Sequence, residues 1–157
     1  MQATPSLMNL FLLRKLPAAY FCGVRVKLID ENSCVTSVKH RWINQNPFRS
    51  MYFAVQAMAA ELSTGALVFD EVARSKAKIS IIITANKSEY HKKATGRITF
   101  SCRDRLLIRQ AIRDAIDHNQ PQQIWLKSTA VNQQNELVSE SHFQWSIKLK
   151  SPPLNLP

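Results

Sequence analysis

One carboxylate, Glu61, stands inside FAVQAMAAELSTGALVF, a proline-free run whose other residues are apolar or small apart from Gln56. At about 100° per residue Glu61 shares a helical face with Ala54, Ala57, Met58, Gly65 and Val68, while Tyr52, Gln56 and Ser63 fall opposite. A carboxylate in an apolar stripe has to be neutral, paired or turned into a cleft, because a buried unpaired charge is costly. Desolvation raises its pKa toward values suited to base or nucleophile chemistry. The free N–H groups at the start of the same helix supply donors for a developing oxyanion. These are two parts of a hydrolytic site. The bland alternative is a Glu61 that makes a buried hydrogen bond across a dimer interface and catalyses nothing.

The elements that would hold this acid follow from punctuation in the chain. Pro47 and the Asn44–Asn46 lead-in forbid an earlier helix start, Ser50 is the predicted N-cap, and the next proline is Pro121. The pattern predicts a central helix from Met51 to Phe69. Its many small residues (Ala54, Ala57, Ala59, Ala60, Ser63, Gly65, Ala66) allow close approach on nearly every side, as in a helix wrapped by a curved sheet.

Before it, residues 5–20 read as one or two helical segments broken at Pro17, an amphipathic N-terminus packed on the domain or, alternatively, a surface anchor. Strands through Val24–Leu28 and Val35–His40 turn at Asp30–Ser33 as a hairpin. After it, β-branched Lys78–Tyr90 turns at His91–Lys93 into Thr95–Phe100, which predicts a second hairpin whose first strand is central. Ser101 or Asp104 caps a helix with a core stripe of Leu107, Ile108, Ala111, Ile112, Ala115 and Ile116. Gln123–Val131 and Leu137–Leu149 form a third hairpin, turning at Asn132–Asn135. The expected architecture is α+β: one domain over residues 1–150, a six-stranded antiparallel sheet curled around one long helix, with a disordered tail at 151–157.

The net charge of +10 favours an anionic partner: nucleic acid, a membrane surface or a phosphate-bearing small molecule. No aromatic-interleaved basic motif supports nucleic acid, and no segment is long enough to span a membrane. Cys22, Cys34 and Cys102 form no C-x-x-C pair and have no metal-ligand spacing to any histidine, so no metal is expected and the compartment reads as reducing and cytoplasmic.

Asn46-Pro47-Phe48, then Ser50, then FAVQAMAAELSTGA resembles the central-helix motif of hotdog-fold proteins, closest to a thioesterase-like group long catalogued as a domain of unknown function. The resemblance covers roughly residues 20–150 and implies a thioesterase for acyl-CoA or acyl-carrier substrates. In phenylacetate-pathway relatives an acid on the central helix attacks the thioester or activates water, and a His-Gly-Gly turn supplies a backbone N–H. Carried over, the acid is Glu61, the N–H donor is Phe53, the polar residue before the helix is Asn46, and the polar contact from a second subunit is Thr64. The chain departs from the family at the turn, where Ser50-Met51-Tyr52-Phe53 replaces glycines and reshapes the acyl cleft. A non-catalytic acyl- or ligand-binding module is the alternative this departure raises.

The resemblance also implies a homodimer, often doubled to a tetramer, with the cleft between subunits. No cofactor is expected beyond coenzyme A as part of the substrate. Arg105, Arg109 and Arg113 recur at helical spacing, and their guanidiniums are candidates for its phosphates; a solvated face is the alternative. Gln56, opposite Glu61, is expected to meet solvent or a neighbouring subunit.

Overall fold

The computed structural model describes residues 3–150; the tail expected to be disordered lies outside them. Helix α1 (Pro5–Lys15) begins at Thr4, whose Oγ1 accepts the Leu7 N–H, and has Pro5 in the first position, where its missing N–H costs nothing. Pro17 restarts the chain as the short α2 (Pro17–Phe21). Strands β1 (Arg25–Ile29) and β2 (Cys34–Lys39) pair as a hairpin, with Asp30 Oδ1 accepting the Asn32 and Ser33 N–H groups at 2.8 Å each. A 3-10 turn at Trp42–Asn44 leads to the long α3 (Phe53–Ser75). Then follow β3 (Ile79–Tyr90), β4 (Arg97–Cys102), α4 (Arg105–Asp117), β5 (Gln122–Val131) and β6 (Leu137–Leu149).

The six strands form one antiparallel sheet in the order β1-β2-β4-β5-β6-β3, and α3 packs on β1, β2, β4, β5 and β6. This is the expected hotdog architecture. Ala59, Ala66, Leu67 and Val68 of α3 are fully buried with Val38, Ile98, Phe100 and Leu126 of the sheet. Among the described residues no helix is long and apolar enough to cross a membrane. Cys22, Cys34 and Cys102 are free; burial pushes the Cys34 and Cys102 thiols up to about 12.

Two strand expectations are corrected. Among the described residues β3 is an edge strand paired only with β6, and it makes no hairpin with β4, which lies in the interior between β2 and β5. β-Branched residues mark a pleated, half-buried surface and do not distinguish centre from edge. The burial does: Ile98, Phe100 and Cys102 of β4 are fully buried, whereas no residue of β3 is. The connection between them runs beneath the start of α3, where Ala94 O accepts the Met51 N–H and Gly96 O accepts the His40 N–H.

The central helix begins two residues later and ends six later than predicted. Ser50 does not cap it: its Oγ donates to Asn46 Oδ1, and Tyr52 occupies the N-cap position without a side-chain hydrogen bond. The C-terminal extension carries Asp70 and Glu71, which are buried against α4.

Candidate active site

Up to Glu61 the face of α3 that turns into the core is not the Glu61 stripe, whereas Gly65 and Val68 farther along that stripe are buried. Val55, Gln56, Ala59, Leu62, Ser63 and Ala66 are buried, whereas Ala54, Ala57, Met58 and Glu61 are half-buried. The polar members of the buried face are satisfied locally. Ser63 Oγ donates to Ala60 O at 2.7 Å and meets Ser128 Oγ at 2.8 Å; Gln56 Nε2 donates to Met51 O at 3.4 Å. With small residues on every side of the helix, hydrophobicity does not mark which side the sheet covers.

Glu61 therefore opens into clefts. On one side lies a recess of about 350 Å³ walled by Phe53, Ala54, Ala57 and Met58 of α3, Ile83 and Asn86 of β3, and Phe143 of β6. On the other lies one of about 260 Å³ walled by Leu16, Pro17, Ala18 and Ala19 around the α1–α2 break. The Glu61 carboxylate has no hydrogen-bond or ion-pair partner among the described residues, and desolvation pushes its pKa up to about 7. It is a carboxyl group poised to change protonation near neutral pH. Asn86 and Phe143, which no sequence signal singled out, reach this wall because β6 pairs them directly, Asn86 opposite Phe143.

Phe53 and Ala54 occupy the uncapped first turn of α3, and their N–H groups have no acceptor among the described residues. Phe53 borders both the Glu61 recess and a larger cavity of about 590 Å³ at the helix start, lined also by Asn46, Tyr52, Gln56 and Tyr90. Asn46 organises that entrance: Oδ1 accepts from Phe48 N–H at 3.0 Å, Ser50 N–H at 3.2 Å and Ser50 Oγ at 3.3 Å. It does not line the Glu61 recess. Gln56, expected to meet solvent or a neighbour, is 5% exposed and lines the entrance cavity from within. Thr64 is fully buried in its own subunit, donating to Glu61 O at 2.8 Å and accepting from Trp145 Nε1 at 3.2 Å. That hydroxyl is closed to a second subunit, contrary to expectation, because Trp145 of β6 covers it.

The arginine stripe is likewise divided by packing. Arg105 is 1% exposed, and its Nη1 lies 2.6 Å from both Asp70 Oδ2 and Glu71 Oε1, so it is closed to a phosphate. The expectation of three aligned guanidiniums is corrected: Arg105 sits at the start of α4, facing the buried acids of α3. Arg109 bonds Glu71 at 3.0 Å and Glu31 at 3.3 Å. Burial pushes Asp70 and Glu71 upward, but hydrogen bonds from the guanidiniums outweigh it and hold both below their ordinary values. Arg113 alone of the three is exposed, at the rim of a recess of about 500 Å³ shared with Arg74 and Arg109. No group of side chains among the described residues is arranged to hold a metal ion.

The family model described as Domain of unknown function (DUF4442) matches residues 5–147. The chain belongs to this family. Among solved structures, this DUF4442 member is similar to a Pseudomonas aeruginosa protein of unknown function described as a probable thioesterase. The two are 21% identical over 95% of this chain and 99% of that one, with a TM-score of 0.79. A Haemophilus influenzae thioesterase is 10% identical over 99% and 97% of the two chains, with a TM-score of 0.73. The Escherichia coli PaaI protein from the phenylacetic acid degradation operon is 13% identical over 94% of each chain, with a TM-score of 0.63. At these identities the likeness shows the hotdog fold. No curated protein matches the chain.

Proposed function

We propose that this protein is a thioesterase, with Glu61 as nucleophile or general base and the Phe53 N–H as oxyanion donor. The observation that carries the reading is the partnerless Glu61 carboxylate, shifted to about 7 and facing a mostly apolar recess. An ionised Glu61 attacks the thioester carbonyl carbon, or takes a proton from the water that does. The carbonyl oxygen gathers negative charge against the N–H and the C–S bond breaks. On the general-base route the thiolate takes the proton that Glu61 removed from water. On the nucleophilic route the thiolate takes a proton from water, and a second water hydrolyses the acyl–Glu61 anhydride to release the acid and restore the carboxylate. The apolar walls suit the acyl chain, and the thioesterase descriptions of the structural relatives agree with that substrate class.

Helix geometry sets a condition on this mechanism. Phe53 and Glu61 are eight residues apart, about 12 Å along the axis, too far for both to act on one carbonyl. A complete site then joins Glu61 of one copy to the N–H from Phe53 of the partner subunit. β3 offers the means, since it forms an unpaired edge of the sheet and its Ile83 and Asn86 border the Glu61 recess. The proposed assembly is an isologous dimer about β3, with a tetramer as its doubling. Asn46 would shape the partner's half of the site by holding the 46–51 loop. The thiol carrier is coenzyme A or an acyl-carrier group, with Arg113, and Arg109 where it is released from Glu31, as candidates for the phosphates.

The test is Glu61→Gln, which keeps the size and removes the charge. It is expected to lower kcat on an acyl thioester by about 10²-fold or more in a folded protein. Full activity in that variant would sink the assignment. A binding module is favoured by one observation: Tyr52 and Phe53, with rings 4.9 Å apart, stand where glycines would open the turn. That reading predicts acyl-thioester binding without turnover in the unmodified protein.

A further inference from the structure

On the opposite side of the sheet from α3, β1, β2 and β4 bring together five cations. Thr36 and Val38 of β2 point inward, Thr36 Oγ1 donating to Ala59 O of α3 at 2.7 Å. Alternation then turns Ser37 and Lys39 outward. Ser37 pairs with Arg25 of β1, and Lys39 pairs with Arg97 of β4. With Lys27 and Arg41 these residues surround a recess of about 170 Å³ that ends at Gly23. Among the described residues, none of the five forms an ion pair with a carboxylate.

The arrangement is built. Asn44, 2% exposed, donates through Nδ2 to Cys22 O and Lys39 O at 2.9 Å each, and its Oδ1 accepts the Arg41 N–H at 2.8 Å. One buried amide thus ties the turn before β1 to the end of β2 and fixes two walls. Arg25 is locked as well. Its Nη1 donates to Tyr20 O and Val24 O at 2.7 Å each, and its guanidinium stacks 3.7 Å from the Tyr20 ring centroid, so Nε and Nη2 have no protein acceptor among the described residues. Arg97 Nη1 donates to Ser37 Oγ at 3.4 Å, which holds that guanidinium against β2. Lys39 and Arg97, directly opposed with no acid between them, repel each other. A fold that fixes such repulsion in place is complementary to an anion that would relieve it.

We propose that this recess is a second ligand site, specific for a compact, multiply charged phosphoryl group and separate from the Glu61 clefts. Forked guanidiniums and lysine ammoniums around a small concavity match phosphoryl oxygens. The concave, five-cation shape fits a small phosphate compound better than the extended backbone of a nucleic acid. The inference is independent of the thioesterase reading, since the two sites lie on opposite faces of the sheet.

Inorganic pyrophosphate is the probe, with binding followed by calorimetry and thermal melting at low and high salt. The unmodified protein should bind pyrophosphate, melt at a higher temperature with it, and lose affinity as salt rises. Lys39→Gln and Arg97→Gln should each weaken binding about tenfold or more. Each should also raise the ligand-free Tm by roughly 1–3 °C, because a like-charge pair is removed. A purely structural role for these side chains predicts the opposite Tm change. Unchanged pyrophosphate affinity in both variants, or no binding by the unmodified protein, would overturn the site. So would duplex DNA or anionic phospholipid vesicles binding the recess while pyrophosphate neither binds nor competes.

Discussion

A Cβ built on Gly65 would lie 2.9 Å from Glu61 Oε1 and 3.3 Å from two ring carbons of Trp145. The acid and the glycine are one helical turn apart, and the missing side chain leaves the space that the carboxylate occupies. Gly65→Ala should gain up to about 1 kcal/mol of helix propensity, offset by crowding against the indole, so the melting temperature should change little. The carboxylate must move, and kcat should fall about tenfold or more, since small displacements of a reacting group are costly. An alanine variant with unchanged kcat would show that the placement of Glu61 is not critical.

Glu61 also sets a pH dependence. Its folded pKa near 7 exceeds the ordinary 4.5, so folding favours the protonated form. That contribution is fully present below pH 4.5 and is lost as pH rises through about 7. Glu61→Gln should therefore be stabilising relative to the unmodified protein at pH 8, by up to about 3 kcal/mol, and near neutral in effect at pH 4. Activity should run the other way, with kcat/KM rising through about pH 7 as the carboxylate ionises. Denaturant melts across pH, beside a pH–rate profile, check both.

Arg105 holds Asp70 and Glu71 in the interior. Arg105→Met should cost about 3–5 kcal/mol at pH 7, because two buried carboxylates lose their principal cation. Both acids have depressed pKa values, so the network stabilises above their ordinary 3.8 and 4.5 and is lost as pH falls through the lower folded values. The gap between variant and unmodified protein should narrow in acid. A constant gap down to pH 2 would mean that packing, not charge, is what Arg105 supplies.

Arg113 is the exposed member of its stripe. If it meets substrate phosphates, Arg113→Glu should raise KM for a coenzyme A thioester several-fold, leave kcat unchanged, and leave a short thioester without a nucleotide unaffected. Equal responses from both substrates would make it a solvated side chain.

The shared site predicts a dimer at micromolar concentration in sedimentation, with activity lost on dilution to monomer. Glu61→Gln chains mixed with chains blocked only at the helix start by Phe53→Pro, which lacks the N–H and suits a first helical position, should regain part of the activity. A stable monomer with full activity would refute the model.

Local chemistry made most of the architecture legible. Pro5, Pro17 and Asp30 sit at element ends because of what their own backbones and side chains permit, and alternation in Val24–Leu28 and Leu137–Leu149 suffices for strands. The oddity of Glu61 was equally visible, since one carboxylate among apolar and small residues needs no fold to stand out. The order of strands was not visible, because β3 and β4 have similar propensities and differ only in how many neighbours the sheet gives them. The face of α3 that meets the sheet was hidden by its many small residues, and was settled by partners such as Ser128 and Trp145, far along the chain. The arginines show the same division. Their spacing fixed a common helix, but only the juxtaposition of α3 with α4 made Arg105 a buried counter-ion and left Arg113 in water, because burial and pairing depend on what another segment brings within a few ångströms.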